Sequence, residues 1–124
     1  MISIMKEGTR YEAFQTITKE IIKQINQKNY AKIMEIVDKN SYTLQDFAEF
    51  FSQNDSYIPD DPYEIKLDFD YEIYRLNQID ENNYNVQYDL THDGVLNNLI
   101  LHIGFSKVQN EIFNVELQKI EIIK

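Results

Sequence analysis

The sequence contains no cysteine and only three glycines and two prolines. The absence of cysteine excludes disulfides, thiolate chemistry and the usual zinc clusters built on cysteine. Three glycines leave little means of building a loop that cradles phosphate, and the sequence has no H-E-x-x-H motif and no Ser-His-Asp order. We therefore predict a protein without a cofactor and without an active site of these classes.

The sequence also lacks any long apolar run. No segment approaches the ~18 apolar residues of a membrane span. Residues 1–14 become charged too early for the apolar core of a signal peptide. We therefore expect a cytoplasmic protein. Its 124 residues, 43% hydrophobic and 13% aromatic, fit a single globular domain spanning residues 1–124.

Basic residues are scarce in the middle of the chain. Residues 45–93 hold thirteen Asp and Glu side chains against Lys66 and Arg75, a net charge of −11. Residues 1–44 carry a net charge of +2, and residues 94–124 are neutral overall. Such an acidic field repels the phosphates of nucleic acids and anionic membrane surfaces, and it attracts basic partners. We therefore predict no nucleic-acid or membrane binding, and a basic protein as the partner.

Helical periodicity is confined to about residues 9–52. Thr9 and Glu12 have the spacing of a capping box, which predicts a helix from about residue 10 to about residue 26. Asn29 is placed to cap a second, shorter helix. A third begins at Thr43, which again stands three residues before an acid, Asp46, as in a capping box. The apolar residues expected to face the core are Phe14, Ile17, Ile21, Ile22, Ile25, Ile33, Met34, Ile36, Val37, Leu44, Phe47, Ala48, Phe50 and Phe51.

A linker at residues 52–62, rich in turn-forming residues, separates the helices from a region of period two. Residues 63–73 alternate apolar and charged side chains, which predicts a long first strand. Further strands are predicted at about 84–90, 98–106 and 113–122, with a bulge near Gln118 or Lys119 where the parity changes. We therefore predict an α+β fold with three N-terminal helices packed on a curved four-stranded antiparallel meander sheet, which spans about residues 63–123.

Both histidines fall in the stretch from Asp89 to Phe105. His92 precedes Asp93-Gly94, a strong hairpin signal because glycine adopts the positive φ of a tight turn. His102 has the opposite parity from the apolar residues of its strand, which predicts the polar face of the sheet. A metal shared by the two rings would need a third ligand on the same face, and the pattern supplies none. We therefore predict a hairpin rather than a metal site.

Carboxylates of the linker and the first predicted strand form the candidate binding surface. Asp68, Asp70 and Glu72 line one face of that strand, where a row of like charges is more easily tolerated if a basic surface meets it. A calcium site is not favoured, because the glycine-containing loop of an EF-hand is missing. The predicted partner-binding residues are Asp55, Asp60, Asp61, Asp68, Asp70 and Glu72.

Tyrosines at inward positions of the predicted sheet leave an alternative open. These residues are Tyr63, Tyr71, Tyr84 and Tyr88. Tyrosines in such positions usually belong to the core, with their hydroxyls at its rim, but they also line ligand pockets. Under this alternative the chain binds a small molecule with these tyrosines and His102.

Three N-terminal helices followed by a curved antiparallel sheet resemble the cone-shaped nuclear transport factor 2-like fold. The resemblance covers most of the chain and rests on element order and strand parity. In enzymes of that family a carboxylate or histidine projects into the cone, whereas the inward residues here are Ile, Leu, Phe, Val and Tyr. The resemblance therefore implies a binding member of the family rather than an enzyme.

The size, acidity and lack of cysteine are similar to those of the immunity proteins that bacteria encode beside toxins. Many such toxins are basic nucleases, and an acidic inhibitor blocks them by imitating phosphates. We therefore predict a non-enzymatic, immunity-like inhibitor that neutralises a basic toxin. The alternatives are a small-molecule binder or enzyme of the cone fold, and an oligomerisation module in which a homodimer forms through the open sheet face or a strand edge.

Overall fold

The computed structural model describes residues 1–4, 9–70 and 72–123. It is an α+β fold with three helices and a curved antiparallel sheet. The helices are α1 (Arg10–Asn26), α2 (Tyr30–Ile36) and α3 (Leu44–Ser52). The strands are β1 (Ile2–Ser3), β2 (Lys39–Asn40), β3 (Tyr74–Gln78), β4 (Asn83–His92), β5 (Val95–Gln109) and β6 (Ile112–Ile122). Within the described residues, no helix is both long and apolar enough to cross a membrane.

All three predicted helices are present, and α1 packs directly on the sheet. The ring of Phe14 in α1 is fully buried and stacks on Phe105 of β5, with ring centroids 4.2 Å apart. In α3 the buried face is narrower than predicted, because Phe47 and Phe51 are buried whereas Leu44 is 49% exposed. In the described residues α1 therefore packs on the sheet through its apolar face, α2 packs on α1, and α3 packs on α2.

The capping box predicted at the third helix is confirmed. Asp46 N donates to Thr43 Oγ1 at 3.0 Å, and Thr43 N donates to Asp46 Oδ2 at 2.8 Å. At α1 the prediction is wrong, because the Thr9 side chain accepts no capping hydrogen bond from the described residues. The first turn of α3 is therefore stabilised by its own side chains, whereas α1 depends on burial of its apolar face.

The strands run in the order β1-β6-β5-β4-β3, and β3 to β6 form the predicted antiparallel meander. The bulge predicted near Gln118 is confirmed, because His102 pairs with Lys119 while Ile103 pairs with Leu117 and leaves Gln118 as the extra residue. The inward residues of β4, β5 and β6 are buried as predicted: Tyr84, Val86, Tyr88, Leu90, Leu99, Leu101, Ile103, Phe105, Phe113, Val115 and Leu117.

The predicted count of four strands is wrong, because two short strands, β1 and β2, also pair with the edge of β6. β2 pairs in parallel and lies between α2 and α3, where the sequence predicts only a connection. Asp38 fastens this edge: its N donates to Val115 O and its carboxylate accepts from Val115 N, both at 2.7 Å. The same carboxylate pairs with the amino group of Met1 at 2.6 Å. Part of one edge of the sheet is therefore covered.

The prediction of a long strand over residues 63–73 is wrong, because regular pairing with β4 begins only at Tyr74. The edge of β4 that such a strand would use is partly occupied by the linker, since Asp60 N donates to Thr91 O at 2.8 Å. β4 also ends at His92, so most of residues 63–73 would have no residue to pair with. Tyr63 is accordingly 52% exposed, and Tyr71 lies outside the described residues.

Candidate functional site

Most of the carboxylates predicted to bind a partner lie in one loop, whose described residues are 60–70 and 72 and which we call the acidic loop. It carries six carboxylates, and Lys66 is its single base. The predicted binding residues within it are Asp60, Asp61, Asp68, Asp70 and Glu72. Asp55 lies apart from them, at the exposed start of a short 3₁₀ helix, Asp55–Tyr57.

The β4–β5 hairpin positions the acidic loop. Its tip is the predicted Asp93-Gly94 turn, whose positive φ angles of 53° and 79° confirm the tight turn. Asp60 N donates to Thr91 O just before the tip, and Asp68 N donates to Gly94 O at 3.0 Å. The loop is therefore fastened to the hairpin at two points along its length.

The carboxylate of Asp60 is part of this attachment. It accepts hydrogen bonds from the Thr91 hydroxyl at 2.8 Å, from Asp93 N at 2.9 Å and from Gly94 N at 3.0 Å. Burial of the carboxyl opposes ionisation, but these hydrogen bonds and the neighbouring His92 lower the pKa of Asp60 below its usual value. Asp60 is therefore an ionised structural residue, and it is less available to a partner than the exposed carboxylates of the loop.

The hairpin tip and the loop are in direct backbone contact. A Cβ atom added to Gly94 would lie 2.3 Å from the backbone oxygen of Lys66. Only glycine provides both this close approach and the positive φ at low cost. Gly94 therefore sets the distance between the tip and the acidic loop.

An open cleft of about 600 Å³ lies between the acidic loop, the hairpin tip and the end of α1. Its lining residues are Asn26, Gln27, Asp60, Asp61, Glu64, Ile65, Lys66, Asp93 and Gly94. Four of them are carboxylates and Lys66 is the one base, so the lining is strongly negative. We call this feature the acidic cleft.

The end of α1 forms one wall of the cleft. Asn26 Nδ2 donates to Pro59 O at 2.9 Å and holds the linker against this end of the helix. The carbonyl groups of Lys23, Gln24 and Ile25 at this end accept hydrogen bonds from the backbone N–H groups of the three residues after the helix. The negative character of the cleft therefore comes from its carboxylate side chains.

The predicted binding carboxylates are not neutralised by neighbouring bases. In the described part of the chain, no lysine, arginine or histidine forms a salt bridge with any of these six residues. Lys19 and Lys23 of α1 instead lie over the ring of Tyr63, 5.8 and 5.7 Å from its centroid. The negative charge of the loop is therefore exposed to solvent or to a partner.

The structure brings together only part of the predicted set. Asp60 and Asp61 line the acidic cleft, whereas Glu72 lines a separate groove beside β3. The cleft also contains Glu64 and Asp93, which the sequence places on a strand face and in a turn. The clustered Asp and Pro residues of the linker were the available signal, since they extend the turn chemistry toward Glu64.

The two histidines occupy separate places. His92 Nδ1 lies 2.8 Å from Ile58 O and donates to it, because a carbonyl only accepts. His102 lies on the face of the sheet away from the core, as predicted, and its Nε2 is 2.7 Å from Glu121 Oε1. It is nevertheless buried, with 8% exposed. Among the described residues, no group of three or more His, Asp or Glu side chains is arranged to hold a metal ion.

The inward tyrosines are divided between core and surface. Tyr84 and Tyr88 are 2% and 4% exposed and belong to the core, as the first interpretation predicts. Tyr63 lies at the surface beside α1. The described tyrosines are therefore not gathered on one surface, and a ligand pocket lined by them stays an untested prediction.

Residues 22–123 match the model of a protein family described as a domain of unknown function, DUF7668. The chain belongs to this family. The matched region includes the acidic loop, the hairpin and the whole meander, and it begins within α1. No curated protein and no solved structure gives a significant match. The family therefore covers the candidate site without assigning it a function.

Proposed function

We propose that this DUF7668 member is a non-enzymatic binding protein, an immunity-like inhibitor that neutralises a basic toxin through the acidic cleft and loop. The observation that carries the proposal is a cleft of about 600 Å³ lined by four carboxylates and one lysine. A lysine or arginine side chain of the partner would enter it, and the exposed Asp68, Asp70 and Glu72 would contact neighbouring basic residues. A basic nuclease held in this way would have its phosphate-binding residues covered.

Attachment of the loop to the hairpin supports tight binding. The Asp60 hydrogen bonds hold the loop backbone in place before a partner arrives. A preorganised surface loses less conformational entropy on association than a mobile one. The concentrated negative charge also raises the rate of encounter with a cationic partner.

The protonation state of Asp60 supports binding rather than acid–base catalysis. A general acid needs a pKa raised toward the working pH, whereas the hydrogen bonds of Asp60 lower its pKa.

An inhibitor of this kind protects the cell that makes the toxin, so we propose a cytoplasmic location as well.

The test identifies the protein encoded by the neighbouring gene, which the proposal requires to be basic, and measures its binding by calorimetry over a range of salt concentrations. We expect affinity to fall steeply with salt, because partly exposed charges are screened. The triple variant Asp68→Lys/Asp70→Lys/Glu72→Lys should bind at least about 100-fold more weakly, on the order of 1 kcal/mol for each lost charge contact.

The matched control reverses three exposed helical carboxylates, Glu12→Lys/Glu35→Lys/Glu49→Lys, and therefore changes the net charge equally. This control should lose much less affinity, because its substitutions lie outside the loop. Equal losses in the two triple variants would mean that overall charge acts without a specific surface. Binding that ignores both salt and the loop substitutions would refute the proposal.

A further inference from the structure

The two edges of the sheet differ. β1 and β2 pair with part of the β6 edge, at residues 112–113 and 116–117, whereas β3 forms the other edge of the sheet. Within the described residues, the only strand that pairs with β3 is β4. A strand edge with unpaired backbone groups is a template for the addition of another strand.

The register shows which backbone groups point outward. Asp89 N donates to Ile73 O at 2.9 Å and Ile79 N donates to Asn83 O at 2.8 Å, so the odd-numbered residues of this stretch face β4. Hydrogen-bonding direction alternates along an antiparallel strand. The N–H and C=O groups of Tyr74, Leu76 and Gln78 therefore point away from the sheet, without backbone partners in the described part of the chain.

A groove of about 450 Å³ runs along this edge, lined by Glu72, Tyr74, Arg75, Leu76 and Asn77. Tyr74 and Leu76 are half-buried against the core, so apolar surface continues to the open edge. The Tyr74 hydroxyl is buried without a hydrogen-bond partner among the described residues. An added strand would cover this apolar surface and pair with the outward backbone groups.

Acidic residues stand at both ends of β3 and indicate what kind of strand fits. Asp70 and Glu72 precede it, and Asp80 and Glu81 follow it; all four are exposed. In a two-fold pairing of two copies centred on Leu76, Glu72 would lie opposite Asp80 of the second copy. Like charges in cross-strand positions are destabilising, which disfavours a second copy, whereas lysine or arginine at these positions is favoured.

We propose that an extended basic segment of the partner adds to β3 as a further strand, with basic side chains near the acidic residues at its two ends. This inference rests on the proposed function, because it supplies the binding mode for the same basic partner. Backbone pairing with Tyr74, Leu76 and Gln78 provides affinity, and the flanking carboxylates select the charge of the segment.

A synthetic peptide, Lys-Thr-Val-Thr-Val-Thr-Lys with blocked ends, is the probe. Its matched control is N-methylated at all five internal residues, which removes the donors and keeps the charge. We expect the control to bind about 100-fold more weakly, since three backbone hydrogen bonds would be lost. Binding of the unmodified peptide should also slow hydrogen exchange of the Tyr74, Leu76 and Gln78 amides, measured by NMR.

A protein variant tests the same edge independently. Gln78→Pro removes an outward N–H without touching the ladder to β4, and should weaken peptide binding about fivefold or more. Gln78→Ser keeps the N–H and should bind like the wild type. Circular dichroism establishes that both variants retain the fold.

The outcomes separate this inference from the proposed function. Equal binding of the two peptides, or a Gln78→Pro variant that binds normally, would overturn strand addition while leaving a charge-driven surface intact. A peptide that does not bind, beside an adjacent-gene protein that binds in a loop-dependent way, would overturn only the strand addition. Failure of both ligands would overturn both proposals.

Discussion

Replacing Gly94 with alanine probes the contact between the hairpin tip and the acidic loop. The new Cβ would lie 2.3 Å from Lys66 O, a backbone atom that cannot move without displacing the loop. The φ of 79° is itself unfavourable for alanine. The substitution therefore combines backbone strain with a steric clash at a single atom.

The structure allows the size of the effect to be worked out. Strain at positive φ costs about 1 kcal/mol. Moving the loop away breaks the hydrogen bonds from Asp68 N to Gly94 O and from Gly94 N to Asp60, each worth about 1 kcal/mol. We therefore expect Gly94→Ala to lower the free energy of unfolding by about 3 kcal/mol.

Gly104→Ala provides the matched control. Its Cβ would lie 2.6 Å from Nε2 of Gln118, the far end of an exposed side chain that can swing away. The loss should stay below about 1 kcal/mol, because the φ of Gly104 is not positive and the hydrogen bond between Gln118 and Asn85 is exposed.

Urea unfolding followed by circular dichroism measures both variants. A Gly94→Ala protein within about 0.5 kcal/mol of the wild type would refute the reasoning, because ordinary surface substitutions reach that size. A Gly104→Ala protein that is equally or more destabilised would also refute it. Either result would mean that the hairpin tip and the loop are not held at the observed distance.

Three further predictions concern single side chains. The lowered pKa of Asp60 stabilises the fold above about pH 4, and this stabilisation is lost as pH falls through the pKa of the folded protein. The difference in unfolding free energy between the wild type and Asp60→Asn should therefore shrink in acid. A difference that stays constant with pH would contradict this. Thr43→Ala should cost about 1 kcal/mol in thermal unfolding and Thr43→Ser much less, because serine keeps the cap. Burial, with a smaller contribution from Asp60, raises the pKa of Tyr88 to about 12, so the absorbance titration of the wild type minus that of Tyr88→Phe should show no ionisation near pH 10.

The elements that follow from local pattern could be predicted. The stripe containing Phe14, Ile21 and Ile25 identifies α1, and the Thr43–Asp46 pair identifies the start of α3. Asp93-Gly94 identifies the hairpin tip. In each case the stabilising interaction lies between residues close in sequence, so it is visible before the chain is folded.

Residues 63–73 show where the alternation of apolar and charged side chains is not enough to predict a strand. Its alternation describes which side chains would share a face of a strand, but a strand also needs a neighbour with free backbone groups. β4 ends at His92, and the linker already takes Thr91 O. Because this segment has no such neighbour to pair with, it forms part of the acidic loop and not the predicted strand.

The sequence predicted the negative charge of the candidate site but not the cleft that its residues form. The excess of carboxylates over residues 45–93 is a property of the sequence, and Asp61, Asp68 and Asp70 are exposed or half-buried in the structure. The cleft joins the end of α1 to the hairpin tip, which are more than sixty residues apart in sequence. Glu64 and Asp93 enter the site only through that juxtaposition.

The amino-acid sequence by itself determined the helices, the hairpin, the core face of three strands and the location of the negative charge, because these depend on spacing and composition. Only the tertiary structure decided that the acidic segment is attached to a hairpin, that Asp60 is used for this attachment, and that β1 and β2 pair with β6 whereas, among the described residues, β3 pairs only with β4. The physical reason is that one stretch of strand edge has room for only one neighbouring segment: the linker lies where Asp60 N donates to Thr91 O, and a further strand cannot occupy the same place.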